Sequence, residues 1–379
     1  MRKLAVLALL AMATLAGCVA DDSSGDQDDN TLIAPADYVV PDVPHVDAVE
    51  LLADHAAFVT EHNERAANKP THESARVALM ERFASYGLEV YRQNFTAGIP
   101  QANIIGIKWG LVRDEWVVVG GHYDTTTDDC LVSTIPVVDQ PNPCPLRALS
   151  QGAYDDGSGT MMTVHLGKAF ANVTPYYTMA FVGYDGEERG TQGAAAFVNA
   201  FVTGGEEGDN FTTPYGRITV RGAVDLDMIG LNWPGVMAPI NVIDNSNATY
   251  AAADNARRAM GWPDAQWARK DGLLLGSSDY ARFWEVTEEQ GGPIPTIFFI
   301  SDFEELGVPN TTGEIPEEAH TPMGAYPFWH LQDTVETMTA MAGGQDNLVA
   351  GFQSSVDVAT AVLHALACQP TMEFDAVAK

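Results

Sequence analysis

The sequence has few basic residues. Its 379 residues include 20 Lys and Arg against 51 Asp and Glu, which gives a formal net charge of -31. Such a surface repels phosphate backbones and anionic headgroups, and this excludes nucleic acid as a partner. The chain is not poor in apolar residues, which make up 46% of it, so it can bury a large core and is not a disordered protein.

Cysteine is also scarce. The four cysteines form no CxxC pair and no Cys/His cluster, which argues against a structural zinc of the finger type. Cys130 and Cys144 flank a proline-rich insertion, and we expect them to form a disulfide if the compartment is oxidising. Cys368 is expected to be a packed thiol in a C-terminal helix.

The N-terminal segment has the pattern of an export signal. Arg2 and Lys3 precede an apolar run that is too short to span a membrane. The run ends in Leu-Ala-Gly-Cys, which resembles the bacterial lipobox, whose Cys (here Cys18) becomes the lipidated first residue; ordinary cleavage nearby is the alternative. We therefore expect a signal peptide at 1–17, then a lipid anchor and acidic flexible tether at 18–43, with the rest of the chain outside the cytoplasm. The membrane contact would be the anchor alone.

Helical and strand periods alternate along the rest of the chain. Helices are predicted at 46–66, 74–86, 159–172, 192–203, 248–260, 279–286 and 348–367, and strands at 88–95, 104–107, 116–119, 177–184, 218–229 and 295–300. Several of the strands are apolar almost throughout, as strands covered on both faces must be. The pattern predicts one domain at 44–370, an α/β sandwich of three layers around a mixed, mostly parallel sheet, followed by a tail at 371–379.

Two polar segments follow predicted strands, where open α/β sheets present ligands. In the first, a strand runs into Gly-Gly and then His122, with Asp124 two residues on, which is the spacing of a metal-bound imidazole and the carboxylate that orients it. An incidental loop histidine is the alternative. In the second, Asp155 and Asp156 precede Gly-Ser-Gly; the segment can be only a helix N-cap, with Asp156 or Ser158 accepting backbone N–H bonds, or one Asp can cap while the other faces a cation.

Three more acidic segments complete the pattern. Glu187 and Glu188 follow an apolar strand, and around a metal one would coordinate while the other acts as a base; in a plain loop they are simply solvated. Asp227 interrupts an apolar run, where a lone carboxylate needs a partner. His330 supplies a late histidine, with Asp333 near it as support. The set is oxygen-rich with few imidazoles, as expected of a hydrolytic two-metal site.

The order and content of these segments resemble metallopeptidase family twenty-eight, the zinc aminopeptidases of the bacterial leucyl aminopeptidase type. The resemblance covers about 70–370 and includes Asn-Ile-Ile-Gly from Asn103 and the pair Ser278 and Asp279. It implies the zinc-exopeptidase fold and two zinc ions. By motif, His122 and Asp227 would hold one ion, Glu188 and His330 the other, and Asp155 would bridge both.

The resemblance also implies the remaining roles. Glu187 would be the general base, Asp124 would orient His122, and the Asp155–Asp156 bond would be a non-proline cis peptide. Three features depart from the family pattern: only two residues separate His330 from Asp333, so His320 competes as the ligand; Trp329 stands where many members have Tyr; and Tyr280 replaces a frequent His. The other histidines are expected to be structural.

The implied function is hydrolysis of the N-terminal peptide bond of peptides with a free α-amine, by a zinc-bound hydroxide and Glu187. The rivals are a glutaminyl-peptide cyclase of the same fold, a carboxypeptidase-like specificity, and a non-catalytic surface lipoprotein. The intact Asp-Asp-Gly-Ser-Gly string from Asp155 favours two metals over the single zinc of the cyclases, and retention of Glu187 argues against loss of catalysis. We expect a monomer whose partners are peptides.

Overall fold

A computed structural model of the protein describes residues 37–67, 69–126, 150–204, 217–231, 240–262, 264, 267–269, 278–301 and 333–370. Its strands are β1 Glu89–Thr96, β2 Pro100–Lys108, β3 Val112–His122, β4 Tyr177–Tyr184, β5 Thr219–Leu226, β6 Ile240–Asp244, β7 Trp267–Arg269 and β8 Thr296–Ile300. Its α-helices are α1 Ala48–Glu61, α2 Pro70–Ser85, α3 Gly157–Phe170, α4 Gln192–Phe197, α5 Asn247–Ala259, α6 Tyr280–Trp284, α7 Val335–Met341 and α8 Gln345–Cys368.

The eight strands form one mixed sheet in the order β1-β2-β4-β3-β5-β8-β6-β7. Its centre is parallel, because β3 pairs in parallel with both β4 and β5, and β5 pairs in parallel with β8. The pairs β1–β2, β2–β4 and β6–β8 are antiparallel, and β6–β7 is parallel. All eight residues of β4 are buried, as its continuous apolar sequence predicts for a central strand.

Helices cover both faces of the sheet and produce the predicted three-layer α/β sandwich. Val117 and Val119 of β3 point to the larger core, which α1, α2, α3 and α8 close. Trp116 and Val118, one residue out of phase, point to the second core, which contains Phe197 of α4 and Phe283 of α6. The alternation follows from the two-residue period of a strand.

The helix ends follow local sequence signals. Asp47 caps α1 by accepting the Val49 amide hydrogen at 2.8 Å. Helix α2 starts at Pro70, four residues before the predicted run, because proline suits the first helical turn. It ends just before Gly87, which has φ +80°, as predicted. The predicted helix at 192–203 consists of α4 and a π-helical stretch, Val198–Thr203.

Two residues before the predicted boundary at 44 contact the domain. The Tyr38 hydroxyl donates to the Thr174 carbonyl at 3.2 Å, and the Pro41 carbonyl accepts a hydrogen bond from His364 at 2.7 Å. Cys368 is buried at the end of α8, as predicted. The signal peptide, Cys18, Cys130, Cys144 and the tail at 371–379 lie outside the described residues. No helix in the described part has the length and apolarity to cross a membrane.

Candidate metal centre

The carboxyl ends of three adjacent parallel strands carry most of the predicted site. His122 is the last residue of β3, Glu187 and Glu188 open a 3-10 turn just after β4, and Asp227 follows the last residue of β5. Because β4, β3 and β5 are neighbours in the sheet, these side chains converge. Sequence periodicity places Asp227 inside a longer strand, whereas β5 ends at Leu226 and leaves Asp227 at the edge.

Glycine at position 121 allows this edge to be packed closely. A Cβ there would lie 2.6 Å from Asp156 Oδ2 and 2.6 Å from the Leu226 carbonyl oxygen. The same Asp156 oxygen accepts the His122 amide hydrogen at 3.1 Å, while Oδ1 accepts the Gly159 amide hydrogen at 2.8 Å and caps α3. Asp156 therefore fixes backbone on both sides, which is the capping role weighed from the sequence.

The imidazole of His122 faces a group of carboxylates. Its Nε2 lies 3.1 Å from Asp155 Oδ1, 3.6 Å from Asp227 Oδ1 and 3.9 Å from Glu187 Oε2. His122 is 1% exposed, so this contact is shielded from water. One ligand atom each of His122, Asp155 and Glu188 lie within 4.8 Å of one another, and the same holds for His122, Asp156 and Asp227.

The other ring nitrogen of His122 is held by the backbone. His122 Nδ1 lies 3.1 Å from the Asp124 carbonyl oxygen and 3.6 Å from the Asp124 carboxylate. The carboxylate instead accepts the Glu187 amide hydrogen at 3.1 Å. Asp124 thus orients His122 chiefly through its carbonyl, and its side chain positions the turn that carries Glu187.

Asp155 is presented by a rigid turn before α3. The Asp155–Asp156 peptide bond is cis, as the family resemblance implies. The buried Asp333 carboxylate accepts the Asp155 amide hydrogen at 2.8 Å and the Tyr154 amide hydrogen at 2.9 Å. Asp333, predicted as a support for a histidine ligand, therefore holds the backbone of the turn that presents Asp155.

Crowded acids shift the protonation of the cluster. Burial by itself would lower the pKa of His122, but the carboxylates of Asp124, Asp155 and Asp227 outweigh burial and raise it well above its usual value. Burial raises the pKa of Glu187 well above its usual value, with Glu188 adding to the rise and His122 opposing it. The protein thus concentrates negative charge around a single imidazole.

Two buried atoms test whether this cluster suits a metal ion. His122 Nε2 and Asp227 Oδ1 are both buried and make no hydrogen bond to any residue that the structure describes, because the 3.1 Å approach of Asp155 Oδ1 to Nε2 does not have hydrogen-bond geometry. An orphaned nitrogen and an orphaned oxygen, 3.6 Å apart, are costly unless a further group satisfies both. One imidazole among carboxylates matches the ligands that zinc takes in hydrolytic sites. The residues present therefore fit zinc.

The predicted ligand His330 and its rival His320 lie outside the described residues, as does Trp329. Of the described histidines that the sequence assigns to structure, His45 is exposed, and the other five bond away from the cluster: His55 to Ala153, His62 to Ser74, His72 to Asp185, His165 to Asp54 and His364 to Pro41. Among the described histidines, His122 is thus the one that lies in the carboxylate cluster.

Several supporting residues were not assigned from the sequence. Ser278 donates its hydroxyl to Asp227 Oδ2 at 2.9 Å, and Asp225 accepts the Tyr280 amide hydrogen at 2.8 Å. Asp279 is 1% exposed, and neither of its carboxylate oxygens has a hydrogen-bond partner in the described part of the chain. In the sequence the Ser-Asp pair is only a family signature, and the contact of Ser278 with Asp227 gives the serine a structural role.

Asp185 is a third unassigned acid, and it anchors the turn after β4. Its carboxylate lies 2.8 Å from His72 Nε2 and accepts hydrogen bonds from Arg76 at 2.6 Å and from the Ala102 amide at 2.7 Å. The acid two residues before Glu187 is therefore structural and ties that turn to α2 and β2.

A pocket opens beside the cluster, with Ile99, Asp124, Thr126 and Arg189 in its lining. Its wall is shared with the candidate centre, because the Thr126 amide donates to Glu188 at 3.2 Å. A molecule seated there would touch the edge of the acidic cluster.

The fold and the cluster define an α/β protein with a metal site at the carboxyl edge of its sheet. Residues 103–341, more than half of the chain, match the family model of peptidase family M28. The chain belongs to this family, and the assignment supports a zinc-dependent hydrolase as its class.

Curated relatives match only part of this chain. Probable zinc metalloproteases of Pyrenophora tritici-repentis and Pyrenophora teres are each 28% identical over 117 residues, which is 31% of this chain. The match spans only 21% and 20% of the length of those proteins, about a fifth.

Solved structures share the fold over most of the chain. A zinc aminopeptidase from Bacillus subtilis superposes with a TM-score of 0.59 at 14% identity, covering 88% of this chain and 98% of the other. A glutaminyl cyclase from Tannerella forsythia gives a TM-score of 0.56 at 17% identity, covering 85% and 99%. A leucine aminopeptidase precursor from Bacteroides thetaiotaomicron gives 0.55 at 16% identity, covering 84% and 98%. At these identities the likeness shows the zinc-exopeptidase fold.

Proposed function

We propose that this chain is a zinc-dependent aminopeptidase that hydrolyses the N-terminal peptide bond of peptides with a free α-amine. The observation that supports it best is the pair of orphaned, buried ligand atoms, His122 Nε2 and Asp227 Oδ1, 3.6 Å apart at the carboxyl edge of the sheet. The likeness to solved aminopeptidase structures and the family assignment agree with this proposal.

Two zinc ions are part of the proposal. His122 and Asp227 would hold the first ion, and Glu188 would hold the second together with His330, which lies outside the described residues. Asp155 would be shared, since its Oδ1 lies 3.1 Å from His122 Nε2 and its carboxylate groups with Glu188. Bound zinc supplies Lewis acidity, which polarises the peptide carbonyl and lowers the pKa of water toward neutrality.

Glu187 is the proposed general base. Its Oε2 lies 3.9 Å from His122 Nε2, and Asp124 holds its backbone amide, so the carboxylate faces the cluster from a fixed turn. Burial raises its pKa, which suits a group that must take a proton from water near neutral pH. Glu187 would then deliver that proton to the leaving amine.

The acids of the cluster would also select the substrate. A peptide's free α-ammonium is drawn toward carboxylates, while an acylated N-terminus carries no charge to attract. The pocket that Asp124 and Thr126 share with the cluster provides space at this edge.

The test is to count zinc per chain in the purified domain and to compare hydrolysis of free and N-blocked aminoacyl anilides. Glu187→Gln should keep its zinc and lose turnover by about 10²–10⁴-fold, because it loses the proton acceptor. Glu289→Gln, at an exposed position, is the matched control and should keep wild-type rates. Equal cleavage of blocked substrates, or full activity of Glu187→Gln, would refute this mechanism.

A cyclase would give a different result in the same assays. One tight zinc per chain, together with cyclisation of an N-terminal glutamine and no anilide hydrolysis, would replace the aminopeptidase proposal. A chain that binds no zinc and turns over neither substrate would instead be a binding module on this fold.

We also propose export and lipid anchoring at Cys18. The support is the sequence of the N-terminal segment, which lies outside the described residues. Expressed in a bacterium, the full chain should partition with membranes in detergent phase separation, and Cys18→Ala should release it. Membrane partitioning of the variant would contradict the anchor.

A further inference from the structure

Arg65 is a fully buried cation beside the candidate metal centre. It lies between α1 and α2, is 0% exposed, and makes no ion pair with any residue that the structure describes. Its guanidinium bonds only to backbone carbonyls. Nε donates to Tyr123 at 2.6 Å, Nη1 to Gln151 at 2.6 Å and Nη2 to Gly152 at 2.9 Å.

These carbonyls belong to the two loops that carry candidate ligands. Tyr123 directly follows His122, while Gln151 and Gly152 precede Asp155 by four and three residues. The two loops are distant in sequence, and the planar guanidinium of Arg65 donates hydrogen bonds to both. A guanidinium can satisfy three carbonyls in one plane, whereas the compact ammonium of lysine on its flexible stem cannot copy this geometry.

The backbone on both sides of this contact is shaped to allow it. Glu64, just before Arg65, has φ +49°, a conformation that non-glycine residues adopt at a cost, and the Thr71 hydroxyl donates to its carbonyl at 2.9 Å. Gly152 has φ +52°, and a Cβ there would lie 2.9 Å from Arg65 Nη2. The loop that contains Arg65 is therefore fixed by its own hydrogen bond, and the loop that contains Gly152 packs closely against the guanidinium.

The charge of Arg65 is balanced by the site itself. Burial lowers the pKa of Arg65 to about 10, while Asp333, Asp156, Asp124 and Asp155 favour the charged form. The guanidinium thus remains a cation at neutral pH, stabilised by these four carboxylates.

We propose that Arg65 is a positioning residue that sets the relative placement of His122 and Asp155, and through it the zinc affinity of the centre. It acts through the backbone of two loops and touches neither substrate nor the proposed ligand atoms. The inference rests on the proposed function, because it takes His122 and Asp155 to be zinc ligands.

The test is zinc titration calorimetry on metal-free protein for wild type, Arg65→Lys, Arg65→Met and a control, Arg82→Met. Arg82 is a matched control because its guanidinium, like that of Arg65, lies 5.4 Å from the Phe58 ring but pairs with Asp54 away from the site. Both Arg65 variants should bind zinc at least tenfold more weakly than wild type. Arg82→Met should stay within twofold, even if its melting temperature falls.

Hydrogen exchange separates positioning from general stability. In metal-free Arg65→Lys, which keeps the charge, amides at 123–126 and 150–155 should exchange at least tenfold faster, while those of α8 keep their protection. This variant decides the matter if Arg65→Met does not fold. Wild-type zinc affinity and unchanged loop exchange in Arg65→Lys would overturn the inference and leave the proposed function intact. A wild-type chain that binds no zinc would overturn both.

Discussion

Replacing Asp333 should loosen the turn that presents Asp155. Its carboxylate, 1% exposed, accepts the Tyr154 amide hydrogen at 3.0 and 2.9 Å and the Asp155 amide hydrogen at 2.8 Å. Asp333→Ala leaves two buried amides without this acceptor. At about 1–3 kcal/mol for each unsatisfied group, the loss of unfolding free energy is about 2–6 kcal/mol, and the charged acceptor favours the upper half.

Asp333→Asn should cost about half as much. An amide oxygen in the place of Oδ2 can still accept both hydrogens, but the new NH₂ group then replaces Oδ1, 3.0 Å from the Tyr154 nitrogen, and opposes that donor. The Gln151 amide would be unaffected in both variants, because it bonds to the Asp333 backbone carbonyl at 2.7 Å. The graded order of wild type, Asn and Ala is therefore the signature of this carboxylate.

Urea unfolding of metal-free protein, followed by circular dichroism, measures these losses, and metal-free conditions keep zinc affinity out of the comparison. The matched control is Glu336→Gln, an exposed acid three residues further on, which should change stability by less than about 0.5 kcal/mol. A loss below about 1 kcal/mol for Asp333→Ala would refute the reasoning that this carboxylate holds the turn.

Two further predictions concern pH. Burial lowers the pKa of His55 to about 4, and the neutral ring donates to the Ala153 carbonyl. Above pH 6.5 the neutral ring therefore contributes up to about 3 kcal/mol to the free energy of unfolding, and this contribution is lost as pH falls toward 4. In His55→Gln, the loss of stability between pH 6.5 and 4.5, measured by urea unfolding, should be smaller; an unchanged slope would contradict this. Burial and Asp227 raise the pKa of Asp225 to about 7. In metal-free protein, the ionisation of Asp225 therefore lowers the free energy of unfolding by up to about 4 kcal/mol as pH rises through 7. Asp225→Asn should therefore raise the melting temperature of chelator-treated protein far more at pH 8 than at pH 4.5, and equal shifts at both would count against it.

The candidate centre could be predicted because its residues share one topological signal. His122 ends β3, Glu187 and Asp227 follow the ends of β4 and β5, and the parallel centre of the sheet brings these three strand ends to one edge. Residue type and strand periodicity both leave marks in the sequence. The glycine before His122 is also evident in the sequence. Only the structure shows why glycine is needed there: Asp156 and the Leu226 carbonyl approach it closely.

Arg65 and Asp225 show why the rest could not be predicted. Arg65 bonds to carbonyls of Tyr123, Gln151 and Gly152, and a backbone partner leaves no residue type to recognise. Asp225 and Asp227 are two residues apart, so strand periodicity alone gives them the same face. Only the end of β5 at Leu226 separates a buried acid inside the strand from one at the edge.

The short elements of the sheet edge were missed for a related reason. Strands β6 and β7 have five and three residues, too few to establish a period, and β6 pairs antiparallel with β8 at a position that no local turn indicates. Helix α7 is seven residues long, and its start depends on a cap by Thr334. Tertiary pairing, not local pattern, decides such segments.

The distribution of charge around the cluster explains why a divalent cation suits it. Two buried guanidinium groups of the described chain are already engaged: Arg76 is paired with Asp185, and Arg65 is bound to carbonyls. The carboxylates of Asp155, Asp227 and Glu187 crowd His122 Nε2 at 3.1–3.9 Å. A single protonated imidazole can offset one of them, and burial opposes even that charge. A dication placed there would satisfy the orphaned atoms of His122 and Asp227, let the imidazole stay neutral, and offset the repulsion from Glu188 and Asp227, which adds to the effect of burial on the pKa of Glu187. The few acids at strand ends thus need an ion, whereas most of the -31 charge, spread over a solvated surface, needs none.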